Sequence, residues 1–297
     1  MKCFCPSQLY VILPYFNFCG FKKREKLFLE FIERLSKYKV KIVVVSAGGL
    51  PHCIPVFKHI EVQYKHKIWV KENLVNIAAR RLPRDWKYMA WVDADITFLN
   101  ENWVQDTMEE LQVHDIVQLF QTAVNLGPSN EAMKIDKSFG YMYMKSGTTY
   151  SQSDKYGFWH PGYGWACTKK AYQQMGGLLD WAILGSGDRH MALAWIGKVE
   201  CSAPGNIDPN YKFLLRRYEN LCRNLTISYI PGTILHHWHG SLVNRRYRER
   251  WDILTKGEYE PPSDIEYTKD GLIYLTEKGT RLAHDIYKYF RDRKEDD

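Results

Sequence analysis

Residues 88–98 read Tyr-Met-Ala-Trp-Val-Asp-Ala-Asp-Ile-Thr-Phe, an apolar run that ends on two aspartates separated by one alanine. The run Tyr88–Val92 predicts a buried strand, because aromatic and branched side chains favour sheets. Asp93 and Asp95 follow it directly, and two carboxylates beside a buried flank are costly without compensation. A divalent cation such as Mg²⁺ or Mn²⁺, which prefers oxygen ligands, would supply it. The alternative is that these aspartates only cap a turn or the next helix.

The segments before this run alternate between strands and helices. A strand at Tyr10–Leu13 closes at Pro14, an amphipathic helix follows over Lys23–Tyr38, and a second strand covers Lys41–Val45. This order is typical of a parallel βαβ unit, whose ligand sites lie beyond the carboxyl ends of the strands. Residues 125–158 show no clear period and predict a long surface excursion. Further helices are predicted at 70–81, 169–175, 188–196 and 278–290, and further strands at 116–120, 227–230 and 233–239.

Composition places the chain among ordinary globular proteins. It has 297 residues, 45% hydrophobic and 25% charged, and shows neither a repeat nor a linker, so one large α/β domain is the simplest interpretation. The net charge of +7 suits a polyanion, whether a diphosphate, an anionic lipid surface or DNA. Seven scattered cysteines and the lack of a long apolar amino-terminal run predict a soluble, cytoplasmic protein without a transmembrane segment.

Four short stretches extend the pattern around the aspartates. They are Leu-Pro-Tyr-Phe-Asn at 13–17, Gly-Tyr-Gly-Trp-Ala at 162–166, Gly-Ser-Gly-Asp at 185–188 and His-His-Trp-His-Gly at 236–240. Together with the Asp-Ala-Asp motif, they resemble the GT-A glycosyltransferases, in particular the broad family 2, over most of residues 9–250. The resemblance implies a Rossmann-like GT-A fold with a mostly parallel central sheet over residues 1–255. Residues 256–297 would form a carboxy-terminal extension with an amphipathic helix and a frayed, charged tail.

The resemblance also implies a donor site for a nucleotide sugar, with a UDP-sugar preferred. Asp95 and a late histidine would hold Mn²⁺ or Mg²⁺, while Asp93 faces the ribose or sugar and is a further candidate ligand. A strand-like period of two places His237 and His239 on one face, and His239 is preferred. A hydrogen-bonded histidine pair without metal is the alternative. The remaining residues predicted to bind the donor are Pro14, Tyr15, Asn17, Lys71, Asn76, Ala94, Trp165, Arg245 and Arg246.

The acceptor side is predicted around Asp188. This residue aligns with the second acid of a Glu-Asp motif, which is the general base in inverting members, whereas Gly187 replaces the usual first acid. Gly187 and Arg189 are the predicted acceptor-binding residues. The alternative for Asp188 is that it only caps the helix that follows. A glycan, a hydroxymethylated DNA base and a protein side chain all stay open as acceptors. So does a non-catalytic module that binds sugars or nucleotide sugars on the same scaffold. A two-metal hydrolase is disfavoured, because the histidines have too few carboxylates near them.

Overall fold

The structure is a computed structural model, and it describes residues 8–50, 54–147 and 159–297. Its strands are β1 (Leu9–Phe16), β2 (Lys41–Ala47), β3 (Lys58–Val62), β4 (Tyr88–Val92), β5 (Ile96–Phe98), β6 (Ile116–Gln118), β7 (Thr122–Leu126), β8 (Ala132–Ser138), β9 (Trp159–His160), β10 (Gly164–Thr168), β11 (Ile227–Tyr229), β12 (Thr233–His236), β13 (Ile265–Tyr267) and β14 (Ile273–Leu275).

Ten α-helices are found in the described residues. They are α1 (Lys22–Ser36), α2 (Lys71–Arg80), α3 (Trp103–Glu110), α4 (Phe139–Ser146), α5 (Lys169–Met175), α6 (Gly187–Trp195), α7 (Pro209–Leu221), α8 (Arg250–Lys256), α9 (Pro261–Asp264) and α10 (Ala283–Asp292). Short 3-10 helices cover Val199–Ser202, Leu242–Arg245 and Lys278–Leu282. Within the described part of the chain, no helix is both long and apolar enough to cross a bilayer.

The central sheet has seven strands in the order β11-β6-β10-β4-β1-β2-β3. Only β10 runs against its neighbours, β4 and β6, while the other pairs are parallel. The predicted α/β class with a mostly parallel central sheet is therefore confirmed. Strand β1 continues past Pro14 to Phe16, beyond its predicted end.

Helices cover both faces of this sheet, as expected where strands read as continuous apolar runs. Alternate residues of β1 point to opposite sides: Ile12 lies in the core cluster of α2, and Val11 in that of α1. Both side chains are fully buried. Helices therefore pack on both faces, and the carboxyl ends of the parallel strands β1 and β4 lie at one edge of the sheet. The first predicted site residues follow these ends.

A second sheet of five strands, in the order β5-β12-β7-β8-β9, lies beside that edge. It replaces most of the surface excursion that was predicted over residues 125–158, because the structure forms β7, β8 and α4 there. Residues 148–158 of the predicted excursion lie outside the described residues. The side chains of β8 are mostly exposed, so the strand lacks the apolar alternation by which a sequence reveals a strand.

The carboxy-terminal segment packs into the core of the sheet. Ile273, Leu282 and Ile286 belong to the same buried cluster as β1 and α2. The charged tail was predicted to fray, but Glu295 is only 1% exposed. The prediction was wrong because Arg24, which helps to compensate this buried charge, lies on the distant helix α1.

The close packing of this segment can be tested at Gly279. A Cβ atom added there would collide with the backbone carbonyl oxygen of Asp264, which cannot turn aside as a side chain can. We expect Gly279→Ala to lower the free energy of unfolding by about 1–3 kcal/mol, measured by urea denaturation. The control is Gly205→Ala, where an added Cβ meets no atom within 4 Å in the described structure. Equal stability of the two variants would contradict this packing.

Candidate active site

Strand pairing brings two distant stretches of sequence together at the site. Strand β5 pairs antiparallel with β12, and Ile96 lies opposite His236. The backbone N–H of His237 also donates to the carbonyl oxygen of Asp95 over 2.8 Å. The loop that carries the two aspartates is therefore fixed against the end of β12 by backbone hydrogen bonds, so its position does not depend on a bound ligand.

Asp95, His236 and His239 form a cluster that suits a metal ion. Oδ2 of Asp95 lies 3.2 Å from Nε2 of His239 and 3.8 Å from Nε2 of His236. One ligand atom from each of the three residues lies within 4.8 Å of the others. Oδ1 of Asp95 is buried and has no hydrogen-bond partner among the described residues. Such an orphaned carboxylate oxygen fits a cation, and the mixed oxygen and nitrogen set suits a divalent metal.

The hydrogen bonds behind the two imidazoles orient them for ligation. Nδ1 of His236 faces Oδ1 of Asn125 at 3.0 Å, and Nδ1 of His239 faces the carbonyl oxygen of His237 at 3.0 Å. The amide nitrogen of Asn125 donates to Asp136 at 2.8 Å, which leaves its oxygen as the acceptor for His236. Since both acceptors are oxygens, each Nδ1 carries the proton and each Nε2 presents its lone pair to Asp95.

Burial keeps these imidazoles neutral, which is the form that binds metals. Desolvation, reinforced by Arg245, lowers the pKa of His236 to about 3 and that of His239 well below its usual value. Burial also raises the pKa of Asp95, against the effect of Arg245 and Arg24. A cation between the three side chains would stabilise the buried charge of Asp95 and would be bound by the two neutral imidazoles.

Two predicted metal ligands lie outside this cluster. His237 was predicted from a period of two, but β12 ends at His236, so the alternation does not continue to His239. Nε2 of His237 instead lies 2.8 Å from the hydroxyl of Thr97. Asp93 forms an ion pair with Nζ of Lys71 at 2.5 Å. His236 thus takes the place predicted for His237, and nothing local in the sequence distinguishes the two.

Of the two arginines predicted to bind the donor, Arg245 lies beside the triad, while Arg246 points elsewhere. The guanidinium of Arg245 donates to Nε2 of His239, so a cationic group already lies at one of the free lone pairs. A metal ion bound by His239 would require this guanidinium to move aside. Arg246 is more than half exposed and lies 3.7 Å from Asp292.

Three residues that were predicted to bind the donor are structural instead. Tyr15 is buried and its ring packs against Phe28, with 4.5 Å between centroids. Asn76 uses its amide on Leu178, donating to the carbonyl oxygen over 2.8 Å and accepting from the N–H over 2.8 Å. Trp165 is 1% exposed and donates to a backbone carbonyl. The motif gave their positions in sequence, but only packing decides which way a side chain points.

The other predicted donor residues lie nearer the site. Pro14 is half-buried within β1, and Ala94 packs at the edge of the core. The side chain of Asn17 closes a turn with the backbone of Phe21, through bonds of 2.8 and 3.0 Å. Asn17 also lines a cleft with Arg24.

Asp188 lies in the first turn of α6, next to the predicted donor site. It does not cap the helix, because Ser186 occupies the capping position, and its Oδ1 accepts from the N–H of Arg189 at 2.8 Å. The guanidinium of Arg189, a predicted acceptor contact, donates to the carbonyl of Cys201. Burial alone would lower the pKa of Lys71. The carboxylates of Asp93, Asp188 and Glu72 outweigh burial, so the pKa of Lys71 is raised.

Glu72 lies beside the start of α6, close to Gly187 and Asp188. It is 3% exposed, and Nε1 of Trp69 donates to its Oε2 over 2.9 Å. A Cβ atom at Gly187 would lie 2.6 Å from Oε1 of Glu72, so the carboxyl group of Glu72 fills the space that a side chain at 187 would need. Burial raises the pKa of Glu72 to about 7, although Lys71 opposes this shift.

No protein-family model matches the chain, and no curated protein matches it. Solved structures match at low identity. The catalytic domain of Drosophila β1,4-galactosyltransferase 7 in complex with xylobiose is 13% identical, with 92% of this chain and 96% of that chain covered and a TM-score of 0.43. Glucosyl-3-phosphoglycerate synthase from Mycobacterium tuberculosis, in complex with Mg²⁺ and UDP, is 10% identical, with 90% and 86% covered and a TM-score of 0.42.

A second structure of the Drosophila enzyme, a complex with manganese, UDP-Gal and xylobiose, is 13% identical, with 77% of this chain and 70% of that chain covered and a TM-score of 0.41. All three TM-scores lie below 0.5, so the predicted α/β class with a mostly parallel sheet rests on the strand order of the chain itself.

Proposed function

We propose that the chain is a metal-dependent glycosyltransferase that uses a nucleotide sugar, with UDP as the preferred nucleotide. The observation that supports it most is the triad of Asp95, His236 and His239, in which both Nε2 atoms face a carboxylate whose Oδ1 has no hydrogen-bond partner among the described residues. A bound Mn²⁺ or Mg²⁺ would supply positive charge to the leaving diphosphate. Asp93, paired with Lys71, would then face the ribose or the sugar.

Asp188 is the proposed general base for the acceptor hydroxyl. It lies close to Lys71, and one of its oxygens approaches Gly162, where an added Cβ would lie 3.0 Å away. The missing side chain at Gly162 allows the carboxylate to lie close to the backbone there. By taking the hydroxyl proton, Asp188 would allow direct attack on the anomeric carbon and inversion there. Glu72 and Gly187 line the same end of α6, and the hydrogen bond from Arg189 to the carbonyl of Cys201 connects this end to the following segment.

The acceptor is proposed to be a glycan or a hydroxymethylated DNA base, in a cytoplasmic setting, and a protein side chain is the third option. The competing function is a binding module that recognises a nucleotide sugar without turning it over. UDP release from UDP- and GDP-sugars, with and without manganese, distinguishes them. Manganese-dependent release supports the transferase, whereas binding of UDP and manganese without release from any donor favours the module.

The metal site makes a first prediction about individual histidines. We expect His236→Ala to weaken Mn²⁺ binding, measured by isothermal titration calorimetry, by about tenfold or more, because a ligand with a fixed lone pair is lost. His237→Ala is the matched control, since this imidazole contacts Thr97, and it should change the affinity by less than about threefold. Larger loss in His237→Ala than in His236→Ala would overturn the triad.

The proposed base makes a second prediction. Asp188→Asn keeps the shape of the side chain but cannot accept the proton, so turnover should fall by about 10²–10⁴-fold while UDP binding stays within about twofold. Asp270→Asn, at a carboxylate whose side chain is 72% exposed, serves as the control. Unchanged turnover in Asp188→Asn removes this residue as the base.

Glu72 makes a third prediction, about pH. Its pKa is raised from 4.5 to about 7 in the folded chain, so the folded state binds this proton more tightly than the unfolded state does. Stability should therefore fall as pH rises through this window, by at most about 3 kcal/mol. Glu72→Gln keeps an acceptor for Trp69 and removes the titration.

The stability of Glu72→Gln relative to the unaltered chain should accordingly grow between pH 4.5 and pH 7, measured by urea unfolding across this range. The exposed Glu101→Gln is the control and should track the unaltered chain. Parallel profiles for Glu72→Gln and the unaltered chain would show that Glu72 does not titrate there.

A further inference from the structure

The carboxy-terminal tail places a buried carboxylate among arginines. Glu295 is 1% exposed, and its Oε2 lies 2.9 Å from NH1 of Arg24, while Oε1 lies 2.6 Å from NH2 of Arg293. Burial alone would raise the pKa of Glu295, but Arg24 and Arg293 lower it well below its usual range. The carboxylate of Glu295 is therefore charged, and it lies between the guanidinium groups of Arg24 and Arg293.

Arg245 is the third arginine of this group. Burial lowers its pKa, but Tyr247, Glu295 and Asp95 outweigh burial and raise it. Because Arg245 also contacts His239, the arginine group adjoins the metal triad. We call Arg24, Arg245 and Arg293 the arginine cage.

Hydrogen bonding within the cage is incomplete. Nε of Arg245, Nε of Arg293 and Oε1 of Glu295 are buried without a hydrogen-bond partner in the described part of the chain, although Oε1 lies within ion-pair distance of Arg293. A guanidinium carries five N–H donors, whereas one carboxylate has two oxygens. Among the described residues, the carboxylates that act on the guanidinium groups of Arg24 and Arg245 are those of Glu295 and Asp95. A larger and more highly charged anion would satisfy this group better than Glu295 does.

A cleft with aromatic walls opens beside the cage. It is lined by Phe16, Phe18 and Phe290, with Arg24, Arg293 and Glu295 at its polar side. Phe16 and Phe290 are only 5% and 6% exposed, so the part of the cleft that suits a ligand is its arginine side. Guanidinium groups bind phosphate oxygens in bidentate pairs, and a diphosphate offers several such oxygens.

The tail that carries Glu295 lies directly on the site. An added Cβ at Gly240, the residue after His239, would lie 2.7 Å from the carbonyl oxygen of Lys294. Nε1 of Trp238 donates to the carbonyl oxygen of Asp297 over 2.9 Å, and the N–H of Lys23 donates to Asp296 over 2.8 Å. Asp296 and Asp297 are exposed, so only a few bonds keep the tail in this place.

We propose that the arginine cage binds the diphosphate of the nucleotide, and that Glu295 occupies the cage until the nucleotide displaces it. This inference rests on the proposed donor site but not on sugar transfer. Glu295 would then act as a built-in competitor, because a site that is open for only a fraction of the time binds its ligand more weakly by that fraction.

Inorganic pyrophosphate with Mn²⁺ is the probe, and calorimetric binding is the measurement. Glu295→Gln removes the competing charge and should tighten pyrophosphate binding by about tenfold. Asp296→Asn removes an equal charge one residue away, outside the cage, and should change binding by less than about twofold. Unchanged or weaker binding in Glu295→Gln overturns the proposal.

The role of the arginines is tested in the same background, where no buried Glu295 charge is left unpaired. Adding Arg24→Gln to Glu295→Gln should weaken pyrophosphate binding by about tenfold. No change would mean that the anion binds elsewhere, which overturns the cage.

Loss of Glu295 leaves buried arginines uncompensated and can lower stability, so a thermal readout accompanies binding. Pyrophosphate should raise the melting temperature of Glu295→Gln more than that of the unaltered chain, since it restores the missing anion. An equal or smaller rise overturns the proposal. If pyrophosphate binds more tightly but no UDP is released from nucleotide sugars, the arginine cage is supported and the proposed glycosyltransferase function is contradicted. The two proposals can therefore fail independently.

Discussion

The antiparallel pairing of β5 with β12 sets the geometry on which the site depends. It places Ile96 opposite His236, and the bond from the N–H of His237 to the carbonyl of Asp95 continues the contact. A shift of the β5–β12 register by one residue would turn the other face of β12 toward the site, because successive side chains in a strand point to opposite faces. That His236, and not His237, lies in the cluster with Asp95 and His239 is therefore a consequence of register.

Charge compensation is the second constraint. Burying a charge is tolerated only with a partner, and here each buried carboxylate has at least one partner from another element. Asp93 has Lys71, Glu295 has Arg24 and Arg293, and Asp95 has Arg245 nearby. The pairing is incomplete, since Oδ1 of Asp95, Oε1 of Glu295 and the Nε groups of Arg245 and Arg293 lack hydrogen bonds within the described residues. A divalent cation at Asp95 would displace Arg245 and raise the local positive charge, which strengthens the attraction for a diphosphate.

Sequence reasoning succeeded where a local pattern determines the structure. The apolar run before Asp93 and the helix 169–175 have the predicted bounds, because periodicity and flanking residues suffice there. It failed where long-range contacts decide: between His236 and His237, in the inward turn of Trp165, and in the burial of Glu295. Arg24 and Arg293 could not be connected to the site from the sequence, since each looks like an ordinary surface charge until the tail folds over α1.

The relation of Glu72 to Gly187 shows why a departure from a motif is a weak argument against activity. A missing acid at position 187 would leave the start of α6 without a carboxylate beside Asp188, yet the carboxyl of Glu72 reaches the same space from α2. Glycine at 187 is then required, because a larger residue would displace that carboxyl. Function follows from the groups that a fold brings together, and the same group can arrive from a different element. Lys71, adjacent to Glu72 in α2, pairs with Asp93 and lies near Asp188. Helix α2 therefore contributes charged side chains to the candidate site.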